Sequence, residues 1–157
     1  MLDRRRFLTV LGATGAALVA GQAFAQAALP KVVVTKDPNC GCCGGWVDHM
    51  KAAGFPVEVV TTPQVNRVKA RLGVPDDLAS CHTAEVGGYV IEGHVPADAV
   101  KRLLAEKPQA KGLAVPGMPV GSPGMEVQGA DPDTYEVVLF GPKGQSVFAR
   151  YQGTRPV

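Results

Sequence analysis

The chain has 157 residues, 46% of them apolar and 19% charged, with 19 Gly and 13 Pro. That suits one small domain and excludes long disorder, a coiled coil and collagen. Three Arg and one Asp fall in the first six residues, so the formal +2 belongs to the N-terminus, and residues 26–157 balance 13 Lys+Arg against 13 Asp+Glu; a neutral body argues against nucleic acid or an anionic membrane surface as partner.

Residues 1–25 read as an export signal. Arg4, Arg5 and Arg6 form a basic start, residues 7–20 are mildly apolar, and Ala23-Phe24-Ala25 fits a small-x-small cleavage site. The run from Asp3 to Leu8 resembles a twin-arginine signal, with Asp3 where Ser or Thr is usual. The apolar stretch is short of the ~20 residues a bilayer needs, and no later segment could span one. The expectation is therefore a periplasmic protein, cleaved after Ala25, with one domain over residues 26–157 and no stable membrane insertion. An oxidising compartment makes the state of its four Cys an open question.

Residues 31–35 are a β-branched run and predict a buried strand. A turn-rich loop over residues 37–45 follows. A helix is expected from about Cys42, with Trp46, Val47, Met50 and Ala53 at helical spacing and Gly54 as its stop. Residues 56–60 predict a second strand. Thr62 and Pro63 read as the first residues of a second helix with Val65, Val68 and Leu72 inward. Residues 83–86 and 89–91 flank Gly87-Gly88, a hairpin signal. Pro96 opens a third helix, with Val100, Leu103 and Leu104 inward. Residues 112–134, with nine Gly or Pro, read as one long loop, and residues 135–140 and 146–151 as a final hairpin. The order implies an α/β fold of thioredoxin-like type: a mixed sheet flanked by helices, with a Cys turn between the first strand and helix. In that arrangement the Ser80-Cys81-His82 segment faces the Cys turn.

Cys40-Gly41-Cys42-Cys43 is the most specific signal. Cys40 and Cys43 have redox spacing, and a helix N-terminus favours the thiolate. Gly44 and Gly45 weaken the first helical turn by ~1 kcal/mol each, which suggests that something, such as a metal cluster, approaches the backbone closely. Helical Cys42 and Cys43 diverge by ~100°, so the sulfurs suit a bridged, polynuclear site better than one tetrahedral ion, with Cys81 capping it. Met118 and Met125 sit in a polar loop, and thioethers favour Cu(I). His94 precedes the third helix, whose positive end keeps the imidazole neutral and able to ligate. His82 adjoins Cys81, and strand alternation turns one of the two away. His49 shares a face with Cys42 and Trp46 but lies ~10 Å along the axis. His49 and His82 are thus the weaker ligand candidates. Two disulfides, Cys40 with Cys43 and Cys42 with Cys81, a metal-free catalytic dithiol, and a Zn or Fe–S module stay open as other readings.

The stretches KVVVTKDPNCGCCGGWVDHMKAAGF, SCHTAEVGGYVIEGHVPADAVKRLL and GLAVPGMPVGSPGME resemble the CopG-like copper-resistance family of exported metal-binding proteins, over about residues 31–151. The resemblance implies a thioredoxin-like fold, a periplasmic copper site and a role in copper tolerance. It carries Cys40, Cys42, Cys43, Cys81, His94, Met118 and Met125 over as metal-site candidates. It implies copper ions as the main partner, with other periplasmic copper-handling proteins beside them. It leaves open whether the chain stores copper, passes it on, or acts as a copper oxidoreductase interconverting Cu(I) and Cu(II). The second reading is a thiol–disulfide oxidoreductase using Cys40 and Cys43.

Overall fold

The computed structural model describes residues 28–157, so the export signal and its cleavage site lie outside the described residues. The strand β1 (Val32–Lys36) leads through the helix α1 (Cys42–Ala52) to β2 (Val57–Thr61). The helix α2 (Val65–Leu72) and a single 3-10 turn at Asp76–Leu78 follow, then the hairpin of β3 (His82–Val86) and β4 (Tyr89–Glu92). After the helix α3 (Ala97–Glu106) come β5 (Gly112–Ala114), β6 (Thr134–Gly141), β7 (Gly144–Gln152) and β8 (Arg155–Pro156). The strands form one mixed sheet in the order β2-β1-β3-β4-β5-β6-β7-β8. β1 and β2 are parallel neighbours joined through α1, and β3 runs antiparallel to β1.

Strand alternation sorts the helices onto two faces. Val32, Val34, Ala84, Val86, Ile91 and Leu113 pack with Trp46, Val47 and Met50 of α1 and with Val100 and Leu103 of α3. Val90, Ala114 and Phe140 point to the other face, under Val74 and Leu78. Trp46 and Met50 are fully buried core residues, as their spacing predicts.

Three local expectations are revised. α2 begins at Val65, two residues past Pro63, because Thr62 Oγ1 accepts the Gln64 N–H (3.2 Å) in a turn before the helix. The stretch over residues 112–134 is not wholly loop: β5 pairs parallel with β4 and antiparallel with β6. Gly112 makes this fit, because a Cβ there would lie 1.7 Å from the Val90 carbonyl oxygen. Finally, the chain itself approaches the first turn of α1. A Cβ on Gly45 would sit 2.8 Å from Gly124 Cα, while one on Gly44 would meet nothing within 4 Å. Gly45 is therefore needed for the loop to dock, with no metal cluster required to explain it.

The strand directions gather one end of the sheet. β1, β4 and β5 finish there, and β3 and β6 start there. The loops carrying the three vicinal Cys, Cys81, His94 and both internal Met all leave from that end. Among the described residues no helix is long and apolar enough to cross a membrane.

Candidate metal centre

The Cys turn is built by its own polar atoms. Asp37 Oδ1 accepts the Asn39 N–H at 2.8 Å, and the Cys40 N–H donates to Asp37 O at 3.1 Å. Lys36 Nζ donates to the carbonyls of Asp37 and Cys40, at 3.1 and 3.2 Å. Gly41 caps α1, so Cys42 and Cys43 occupy its first turn.

Cys40 and Cys43 are joined as a disulfide, and Cys42 and Cys81 are free thiols. Cys42 Sγ lies 3.7 Å from Cys40 Sγ and 3.7 Å from Cys81 Sγ. All four sulfurs fall within 4.8 Å of one another, and a second group of Cys81, His82 and His94 meets the same limit. Cys81 belongs to both groups. Burial pushes its thiol up to about 12, with Cys42 adding to the rise and the Ser80 hydroxyl and the Lys69 ammonium opposing it.

His94 Nε2 is 3.0 Å from Cys81 Sγ, and its Nδ1 is 2.8 Å from Pro123 O. A carbonyl only accepts, so Nδ1 carries the proton and Nε2 presents its lone pair to the sulfur. His94 is fully buried, and burial lowers its proton affinity against the opposing Pro123 bond. Burial, rather than the end of α3, is thus the main reason that the imidazole is neutral. His82 does not turn away from Cys81: its Nδ1 lies 3.2 Å from the same sulfur. Cys81 sits in a bend before β3, so strand alternation does not apply to the pair. Burial brings His82 down to about 3, helped by His94 and Lys69. Its ring packs on Trp46 at 4.6 Å between centroids, and its Nε2 has no hydrogen-bond partner.

His49 is engaged elsewhere. Its Nε2 accepts the Ala97 N–H at 3.0 Å and so caps α3, a helix with no side-chain cap of its own. Each Met follows a glycine that is held in place, one against the first turn of α1 and one by Ser80. Gly124 packs on Trp46 N and Cys42 O, at distances only a glycine allows, and Met125 follows it; Met125 is half-buried. Gly117 O accepts the Ser80 hydroxyl, and Met118 follows with 52% of its surface exposed.

Sequence reasoning passed over Ser80, Lys69 and Glu92. Lys69 is 4% exposed and pairs with the fully buried Glu92 next to the Cys81 turn. A signal was present: position 69 falls on the i, i+4, i+7 stripe with Val65 and Leu72.

Two free thiols, four once the Cys40–Cys43 bond is reduced, with adjoining neutral imidazoles fit a soft, thiophilic ion and suit hard oxygen-seeking cations poorly. A family model described as a protein of unknown function, DUF411, matches residues 78–125. That stretch includes Cys81, His82, His94, Met118 and Met125. No curated protein sequence matches the chain. Two solved structures, of a copper resistance protein CopG in two forms, share 45% sequence identity with it. Form 2 has a TM-score of 0.74 and covers 78% of this chain and 98% of its own; form 1 has 0.73, 80% and 99%. With that identity over nearly the whole length of both relatives, and the cysteine run in place, the chain belongs to the CopG family of copper resistance proteins.

Proposed function

We propose that the chain is an exported, periplasmic copper-binding protein of copper resistance, with residues 26–157 as its working domain. Copper ions are its cargo. Cys40, Cys42, Cys43 and Cys81 bridge more than one of them, and His94, Met118 and Met125 complete or shield the site. The observation that carries this reading is the arrival of Cys81, 39 residues along the chain, at 3.7 Å from Cys42 Sγ, with the His94 lone pair 3.0 Å away. The full thiolate set needs the Cys40–Cys43 bond reduced. A mixed sulfur and nitrogen donor set can hold both Cu(I) and Cu(II). Interconversion of the two during detoxification is part of the proposal, with the Cys40–Cys43 disulfide as the electron partner: two Cu(I) become two Cu(II) as the disulfide takes up two electrons and opens to two thiolates. His82 is a further donor, since its Nδ1 lies beside the same sulfur.

Anaerobic titration of the reduced protein with Cu(I), against a competing chelator, tests this. The expected result is more than one copper per chain, with a reduced count in Cys81→Ser. A stoichiometry below one copper per chain overturns it.

The closed Cys40–Cys43 disulfide favours a second reading, a thiol–disulfide oxidoreductase. Insulin reduction by metal-free protein decides between them. Activity that survives in a Met118/Met125 double substitution, without copper uptake, supports the second.

A further inference from the structure

Beside the sulfur cluster lies an ion pair that the copper chemistry leaves unused. Lys69 projects from the buried stripe of α2, where an apolar residue would complete the packing with Val65. Its partner Glu92, at the end of β4, is fully buried. Burying two opposite charges seldom stabilises a fold more than apolar packing of the same shape would. The pair's other bonds show where it acts.

Lys69 Nζ also donates to Ser80 O at 2.6 Å, and the Ser80 N–H donates to Glu92 Oε1 at 2.6 Å. Both backbone polar groups of Ser80 are therefore held by the pair. The Ser80 hydroxyl donates to Gly117 O. Its side chain lies on Gly93, where a Cβ would fall 2.6 Å from Ser80 Cβ and Oγ and the φ is +73°. Each partner is the chain neighbour of a candidate donor: Ser80 precedes Cys81, Gly93 precedes His94, and Gly117 precedes Met118.

We propose that Lys69 and Glu92 clamp Ser80, and that this knot sets Cys81, His94 and the Met118 loop in one mutual placement. Lys69, Glu92 and Ser80 are positioning residues and do not touch the metal. The clamp rests on the copper reading for its purpose, but its geometry can be tested without metal.

The double variant Lys69→Met with Glu92→Leu removes both charges, so neither is left buried alone. Two quantities are read in folded protein, with the denaturation midpoint as the control. One is the alkylation rate of Cys81 relative to Cys42 in reduced, metal-free protein; the other is Cu(I) affinity against a chelator. The clamp predicts faster alkylation of Cys81 by about tenfold, through local opening of the turn. It also predicts Cu(I) affinity lower by about tenfold or more, the usual cost of losing outer-shell support. Lys69→Arg, which keeps the cation, should stay near the wild-type alkylation rate. A folded double variant with unchanged Cys81 alkylation overturns the proposal. Should the double variant not fold, hydrogen exchange on the wild-type protein decides. The Ser80 amide should exchange as slowly as that of Ala84 in β3, and loop-like exchange at Ser80 overturns the clamp. If the wild-type protein takes up no copper, the copper reading falls while the alkylation and exchange results still judge the clamp.

Discussion

His82 shows how far burial can change a side chain at this site. In the unfolded chain it takes a proton near 6.5; in the fold it holds out to about 3. Between those values the unfolded state binds more protons, so folding stability falls as the pH drops. The contribution is complete above pH 6.5 and shrinks toward pH 3. His94, also lowered by burial, adds in the same direction, and Glu92, raised by burial, opposes it. Urea denaturation of metal-free protein at pH 7 and pH 5 should show this. Relative to His82→Asn, the wild type should lose on the order of 2 kcal/mol over that interval; parallel losses would show that His82 titrates normally. His49 carries a different lesson. Its helical face pointed toward the cysteines, yet its ring caps α3, because the partner helix offered a bare N–H at the right distance. No pattern within residues 42–52 could reveal a partner at residue 97. Lys69 is half legible: its place on the stripe with Val65 and Leu72 marks it as inward, but the partner that permits its burial, Glu92, lies 23 residues further on.

The helices and hairpins were legible at the scale of single elements where local chemistry decides them. Gly54, with φ +94°, ends the first helix region, and Gly87-Gly88, both at positive φ, turn the β3–β4 hairpin. β5 was not legible, since three residues show no alternation and its place depends on Gly112 meeting the Val90 backbone. The paired glycines of α1 separate two causes that sequence alone had merged. Gly44 faces open space, so Gly44→Ala should raise stability by up to ~1 kcal/mol through helix propensity. Gly45 touches the Gly124 backbone, so Gly45→Ala should cost about 1–3 kcal/mol by overpacking and push the Met125 loop away from α1. Thermal or urea denaturation of the two variants should give opposite signs. The same sign for both would mean that the loop yields freely.

For the whole molecule, the sequence indicated that the Cys turn and Cys81 would face each other. It could not indicate that Cys81 and His94 would share one contact, and it left open whether Cys42 would pair with Cys81 or stay free beside the Cys40–Cys43 disulfide that the spacing allowed. The placing of Cys81 and His94 depends on β1, β3 and β4 meeting at one end of the mixed sheet. The spacing of the donors along the chain also divides their strength. Three sulfurs lie within four residues and remain neighbours however the backbone is arranged; Cys81 and His94 join them only in the folded state. Ligand binding raises stability only to the extent that it prefers the folded chain. Cu(I) should therefore raise the melting temperature of reduced wild-type protein, and Cys81→Ala should lose most of that rise while still taking up metal. Equal rises in both proteins, measured by calorimetry, would show that the vicinal thiols alone carry the preference. A molten polypeptide of this composition would remain a three-pronged chelator, so heat would strip away its selectivity before its grip.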